Sequence, residues 1–177
     1  RVFTAKDGGI ITEAADPSKL EDPSLIIYAP VRVLGKTTIV TNGDQTDTIY
    51  DHLAAGKGFA KALRTRTFEP DSPNFTPRIS AIVNLDGSFE MSILKHADGD
   101  RCIREFFAYE GADEGQGYFI STYQGDGNPL PTFAGEPIPV TLPTPDELWA
   151  ALNDDNKVSL YANVGGEVTL YNKNLGD

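Results

Sequence analysis

A chain of 177 residues is long enough for one domain with a sizeable core. Its 26 Asp and Glu against 15 Lys and Arg give a formal charge of −11, a field that repels a polyanion such as nucleic acid but leaves room for a small anion held by a local cationic cluster. No run approaches the ~20 apolar residues of a membrane span, no segment has the three-part pattern of a signal peptide, and the single Cys102 excludes an internal disulfide and fits a reducing, cytoplasmic compartment.

Taken in chain order, Gly and Pro punctuate many short strand-like runs. Arg1 already reads as strand and no Met precedes it, so the sequence predicts a start partway into a fold. Arg1 to Ala5 and Ile10 to Ala14 flank Lys-Asp-Gly-Gly, a hairpin signal. Asp16 to Ser24 is a polar loop with two Asp-Pro steps. Leu25 to Leu34 reads as a buried strand and Thr37 to Thr41 as the next. A long helix is predicted from about Thr48 to Arg66, with Ile49, Leu53, Gly56, Ala60 and Leu63 recurring as one stripe and Thr46 or Asp47 as its cap. Arg78 to Leu85 and Ser88 to Lys95 flank Asp86-Gly87, a second hairpin. Strands follow at Arg104 to Tyr109 and Gly117 to Tyr123. Thr144 to Glu147 forms a capping box for a short helix from Pro145 to about Asn153. Val158 to Val164 and Glu167 to Tyr171 flank Gly165-Gly166, a third hairpin. With no repeat and no linker, this is one mostly antiparallel α+β domain.

Three segments carry chemistry. TNGDQTD, Thr41 to Asp47, joins a strand to the long helix, where free N–H groups and positive partial charge suit an oxyanion. The same residues also make an ordinary turn and cap, which the sequence alone favours. FEPDSPNFTPR, Phe68 to Arg78, has three prolines that stiffen it and can present Glu69, Asn74, Thr76 and Arg78 at a strand's edge; a structural crossover is the equal alternative. Gly117 to Pro131 is a strand followed by a Gly/Pro-rich loop that can shape a pocket or simply run over the surface. P-loop, GxGxxG and HExxH signatures are absent, and His52 and His96 are not paired into a metal site.

These segments carry a resemblance. TNGDQTD before a helix, NFTPRI entering a strand, YFISTY, and SLIIYAPVRV with Tyr28 resemble, in order and spacing, the archaeal-type IMP cyclohydrolases and their bacterial relatives over nearly the whole chain. The family's fold is similar to that of the Ntn hydrolases. The resemblance therefore implies an α+β, four-layer αββα sandwich of mostly antiparallel sheets. It also implies a single domain over residues 1–177 that lacks its N-terminal strands, because the family has a further strand pair ahead of the position of Arg1. The loop GDGNPLP is a departure from the archaeal pattern. Arg1 also lacks the nucleophile that a true Ntn hydrolase carries first, which argues against amidase chemistry.

The activity the resemblance implies is closure of 5-formamidoimidazole-4-carboxamide ribonucleotide to IMP with loss of water. A non-catalytic purine-nucleotide-binding relative is the alternative. Glu69 is then the proton-relay carboxylate, Tyr28 a donor to the oxyanion or leaving hydroxyl, and Arg78 with Arg1 the contacts to phosphate or oxyanion. Asn42, Gly43, Thr46 and Asp47 fall to base or ribose, and Asn74, Thr76 and Thr122 complete the substrate-binding set. Neither metal nor organic cofactor is expected. The expected partner is a small purine nucleotide, with no nucleic acid and no membrane, and a homo-oligomer is compatible with the sequence.

Overall fold

Asp7 and Gly8 both take left-handed backbone angles, φ 50° and 77°, as a two-residue hairpin turn of the mirror-image type requires. They join β1 (Val2–Lys6) to β2 (Gly9–Glu13) with Lys6 opposite Gly9. The pattern repeats along the chain in this computed structural model, which describes residues 1–19 and 27–175. Gly35 (φ 58°) turns β3 (Val31–Leu34) into β4 (Thr37–Thr41). Asp86 accepts hydrogen bonds from the Ser88 amide (3.0 Å) and hydroxyl (2.7 Å), closing the turn from β5 (Arg78–Asn84) to β6 (Phe89–His96). With β7 (Cys102–Tyr109) these strands form a seven-stranded sheet in the order β1-β2-β3-β4-β5-β6-β7, and every pair in it is antiparallel.

The strand expected from Leu25 begins later. Leu25 and Ile26 lie outside the described residues, and regular pairing starts at Val31, after Pro30, which has no N–H to give a ladder. Tyr28 nonetheless runs beside β2: its carbonyl accepts from the Thr12 amide (2.9 Å) and its amide donates to the Thr12 hydroxyl (3.0 Å). Of the loop expected over 16–24, residues 20–24 lie outside the described residues, and Pro17–Lys19 form a short 3₁₀ turn.

The long helix is two helices, α1 (Gln45–Ala54) and α2 (Phe59–Leu63). Gly56 (φ 72°) takes the left-handed conformation that ends α1, and the amides of Gly56 and Lys57 turn back onto the carbonyls of Leu53 (2.9 Å) and His52 (2.8 Å). Gly56 is therefore exposed. The buried stripe runs instead through Ile49, Phe59, Ala62 and Leu63. It packs on Ile39, Ile82 and Leu94 of the sheet to make the core. The register explains the match: Ile39 pairs Ile82, and Ile82 pairs Glu90, four residues before Leu94, so all three apolar side chains share one face.

The other face carries two ribbons, β8 (Gln116–Phe119) with β9 (Ile138–Thr141), and β10 (Ser159–Val164) with β11 (Glu167–Asn172). Tyr118 of β8 lies 4.2 Å from the Tyr109 ring. Asn172 stands in for a strand at the β1 edge, accepting from the Phe3 amide (2.7 Å) and donating to its carbonyl (3.0 Å). The strand expected to reach Tyr123 stops at Phe119, and Tyr123 makes one isolated bridge to Thr132. The short helix α3 (Pro145–Ala151) has its capping box, Thr144 with Glu147. Among the described residues no helix is long and apolar enough to cross a membrane.

Because α2 is too short to hold itself, its packing against the sheet carries it. Phe59→Ala, at a side chain only 2% exposed, is expected to lower the unfolding free energy by about 3–5 kcal/mol, measured by urea denaturation.

Candidate functional site

Thr41 ends β4 directly beside the start of β5, where Ser80 is its partner, so the turn into α1 and the strand beginning at Arg78 meet at one end of the sheet. The turn is held from within. The Thr41 hydroxyl bonds the Gly43 carbonyl (2.7 Å) and the Thr46 hydroxyl (2.6 Å), and accepts from the Gly43 amide (3.1 Å). Asn42 clamps it to β5: its side-chain oxygen accepts from the Ile79 amide (3.0 Å) and from Gln45 (2.9 Å), and its Nδ2 donates to the Pro77 carbonyl (2.9 Å).

The proline-rich loop closes the second wall. The Glu69 amide donates to the Thr76 carbonyl (2.9 Å). Asp71 accepts from the Thr76 amide (2.6 Å) and also from its hydroxyl, which in turn meets Tyr123 Oη (2.6 Å). Phe75, at a positive φ of 45°, stacks on His96 at 4.4 Å, with Phe68 edge-on to both. This aromatic cluster fixes the loop to the end of β6, and it assigns His96 a packing role.

Between these walls lies a pocket of about 410 Å³. Glu69, Tyr28 and Arg78, the three residues expected to carry chemistry, all line it. So do Arg1, Asn42 and Gly43, together with Thr76 and Thr122. Three other expected residues face elsewhere. Thr46 is fully buried, its hydroxyl spent on the Gly43 carbonyl and Thr41. Asp47 pairs with Arg32 at 2.8 Å, under the Tyr50 ring, at a neighbouring pocket of about 540 Å³ that Tyr28 also borders. Asn74 accepts from the Leu130 amide (3.3 Å) and tethers the loop that follows β8. Asp44 and Asp71 line the site although the sequence reading passed them over. Asp44 sits inside a turn motif where a cap suffices to explain an Asp. The helix does cap at Asp44, yet its side chain makes no capping bond.

That carboxylate instead joins two arginines. Arg66 Nη2 reaches both its oxygens (2.6 and 2.8 Å), and Arg78 Nη1 reaches Oδ1 (2.8 Å). Arg78 Nη1 also donates to Gln45 Oε1 (2.8 Å) and lies 3.4 Å from Glu69 Oε1. A Cβ on Gly43 would stand 2.7 Å from both Arg78 Nη1 and Gln45 Oε1, and 3.1 Å from Glu69 Oε1. The cluster therefore needs bare backbone at position 43.

Charge and burial divide the titrating groups. Burial pushes the Glu69 carboxyl above the usual glutamate range; Arg78 and Arg1 pull against it, while Asp71 and Asp44 reinforce it. Burial likewise raises the Tyr28 hydroxyl, opposed by Arg1 and supported by Glu69. Burial works against the Asp44 carboxylate as well, but the hydrogen bonds and charges of Arg66 and Arg78 hold it below the usual aspartate range. The site can thus offer a proton acceptor of raised basicity, a protonated phenol and a guanidinium within one cavity. Among the described residues no group of three or more His, Cys, Asp or Glu is placed to hold a metal ion.

The family described as IMP cyclohydrolase-like protein matches residues 1–167. The IMP cyclohydrolase of Methanopyrus kandleri is 32% identical over 127 residues, covering 70% of this chain and 60% of that protein. Those of Methanococcus aeolicus (32% over 120 residues, 64% and 55% covered) and Methanothrix thermoacetophila (28% over 132 residues, 72% and 62% covered) are similarly related. The chain spans less than two thirds of the length of each of these curated relatives.

Two outcomes follow from the geometry. Gly43→Ala pushes the ends of the Arg78 and Gln45 side chains away from the turn and is expected to cost about 1 kcal/mol, the low end of overpacking because side-chain ends can shift, read as a lower urea midpoint. In a ¹³C NMR pH titration Glu69 is expected to titrate above a free glutamate and Asp44 below a free aspartate. The stability consequences have opposite sign. Glu69, raised on folding, lowers stability as pH climbs from its unfolded to its folded value; Asp44, depressed on folding, adds stability that is lost as pH falls through its folded value.

Proposed function

This chain belongs to the IMP cyclohydrolase-like family, and on that footing we propose that it closes the pyrimidine ring of 5-formamidoimidazole-4-carboxamide ribonucleotide, giving IMP and water. The observation that supports the proposal is the pocket that Glu69, Arg78 and Tyr28 all line, with Glu69 3.4 Å from Arg78. The carboxamide nitrogen attacks the formyl carbon, forming the new C–N bond and losing one proton. The second proton leaves the formamide nitrogen as the C–O bond breaks, and both leave with the formyl oxygen as water. An amide nitrogen is a weak nucleophile, so holding the two groups in contact supplies much of the acceleration.

Glu69 takes the proton from nitrogen and returns it to the departing hydroxyl, a task for which a raised carboxyl pKa is suited. Tyr28, kept protonated by burial, donates to the oxygen as negative charge develops there. Arg78 contributes a guanidinium whose Nε and Nη2 carry no hydrogen bond among the described residues, and Arg1 lies at the same pocket. Asn42 and Gly43 shape the wall beside the base or ribose, and Thr76 and Thr122 border it. The condensation forms a C–N bond and breaks a C–O bond with no change of oxidation state, so it calls for no redox cofactor. The net charge of −11 supports a small nucleotide rather than a nucleic acid as partner, and we place the reaction in the cytoplasm.

The apolar slot lined by Val40, Ile79, Ala81 and Met91 on the sheet face away from α1 supports a second layer of sheet there. We propose on that basis the four-layer αββα, Ntn-hydrolase-like arrangement for the family fold.

Glu69→Gln keeps the side-chain shape and removes the base. In a continuous ultraviolet assay of ring closure, kcat is expected to fall about 10²–10⁴-fold with a smaller change in KM; near-full turnover would remove Glu69 from the mechanism. Arg78→Lys keeps the charge and loses the planar fork. If Arg78 grips the phosphate, calorimetry is expected to show IMP weakened far more than inosine. Equal weakening would place the phosphate elsewhere.

A further inference from the structure

Arg78 Nη1 carries two hydrogens, and three acceptors surround it. Asp44 Oδ1 and Gln45 Oε1 each take one at 2.8 Å. Glu69 Oε1, at 3.4 Å, receives no hydrogen bond from it and is held only as an ion pair. Asp44 is fixed for this task from the other side, by the two bonds from Arg66 Nη2. It has also given up the usual work of its position: as the residue capping α1 it makes no side-chain bond to the helix amides, although an Asp there ordinarily does.

We propose that Asp44 is a positioning residue that keeps Glu69 out of a direct hydrogen bond with Arg78, leaving the Glu69 carboxylate open to exchange a proton. Without Asp44, one Nη1 hydrogen is released within reach of Glu69. Arginine–carboxylate hydrogen bonds are among the strong ones. Glu69 would then settle as a directly paired carboxylate of lowered basicity, and would stop serving as a base. The groups facing Glu69 are Arg78 at the start of β5, Asp71 in its own loop, Asp44 at the start of α1 and Arg1 at the start of β1. Asp44 is the member of this set that competes with Glu69 for a hydrogen of Nη1.

The inference rests on the reading of Glu69 as the proton-transfer group, so its test includes a measurement that needs no turnover. In Asp44→Asn and Asp44→Ser, the Glu69 carboxyl is followed by ¹³C NMR titration beside wild type. Asn and Ser are both favoured at helix N-caps, so both variants keep α1; Asn removes the charge but keeps a side-chain oxygen that can still accept from Nη1, whereas the shorter Ser removes that acceptor. The expected result is a Glu69 midpoint that moves further to lower pH in Asp44→Ser than in Asp44→Asn, because both variants remove the charge that raises Glu69 and only Ser also removes the acceptor that occupies Nη1. Alongside it, kcat is expected to fall roughly 10-fold, part of the 10²–10⁴-fold that general-base assistance supplies. KM should change less, and the acid limb of the pH profile should follow the Glu69 midpoint downward. A midpoint that stays in place or rises overturns the proposal, as does a fall of the same size in Asp44→Asn and Asp44→Ser, which would be the lost charge alone. A loss of turnover with an unmoved midpoint also overturns it, leaving Asp44 a structural link between Arg66 and Arg78. If wild type itself forms no IMP, the proposed activity fails, and the NMR comparison still decides what Asp44 does to Glu69.

Discussion

One nitrogen, Nη1 of Arg78, is where the polar network of this site converges. It is 2.8 Å from Asp44 and from Gln45, 3.4 Å from Glu69, and 2.7 Å from where a Cβ on Gly43 would stand. These four contacts fall on three stretches of backbone: the turn after β4, the first residue of α1 and the proline-rich loop. A single guanidinium only 11% exposed thereby ties three segments together. The absence of a side chain at Gly43 is the steric condition that lets them approach.

The sheet exists, for this purpose, to hold two strand ends side by side. Short turns with left-handed residues set the register of the hairpins, and the antiparallel pairing of β4 with β5 puts Thr41 opposite Ser80. The long connection between those strands leaves the sheet as α1 and α2 and returns as the stiff loop carrying Glu69. Burial of Ile49, Phe59 and Leu63 against Ile39, Ile82 and Leu94 anchors the outward half. The Phe68–Phe75–His96 cluster anchors the return. The site is thus framed by packing, and the polar network fills a space already defined.

Within that space like charges are set close and then balanced. Asp44, Glu69 and Asp71 share the pocket with Arg78 and Arg1, and Arg66 backs it from behind Asp44. Burial raises both carboxyls nearest Arg78, and they end on opposite sides of their usual ranges because hydrogen bonds and charge from two arginines outweigh it at Asp44, whereas Glu69 accepts a hydrogen bond from neither. Environment, rather than residue type, separates a carboxylate fixed in its charged form from one able to take a proton.

The sequence by itself determined what short-range chemistry controls. Asp7-Gly8, Asp86-Gly87 and Gly165-Gly166 turn where turn chemistry puts them, and Thr144 with Glu147 caps α3. The α+β, antiparallel class follows from those signals, and the order of motifs pointed to Glu69, Tyr28 and Arg78, which the pocket brings together. What the sequence left open depends on contacts between distant residues. Helical periodicity could not reveal that Gly56 would break the long helix, because a glycine tolerated in a helix and one that ends it look alike until packing chooses. Nor could it tell that Thr46, Asp47 and Asn74 would turn to a buried hydroxyl pair, to Arg32 and to Leu130. Asp44 is the plainest case. In one dimension it is a turn residue beside Thr46 and Asp47, the two candidate caps; the structure makes it the cap position. Only the approach of Arg66 and Arg78, 22 and 34 positions further along, makes it the pivot of the site, since a carboxylate goes to the strongest donors within reach and the folded chain alone decides which those are.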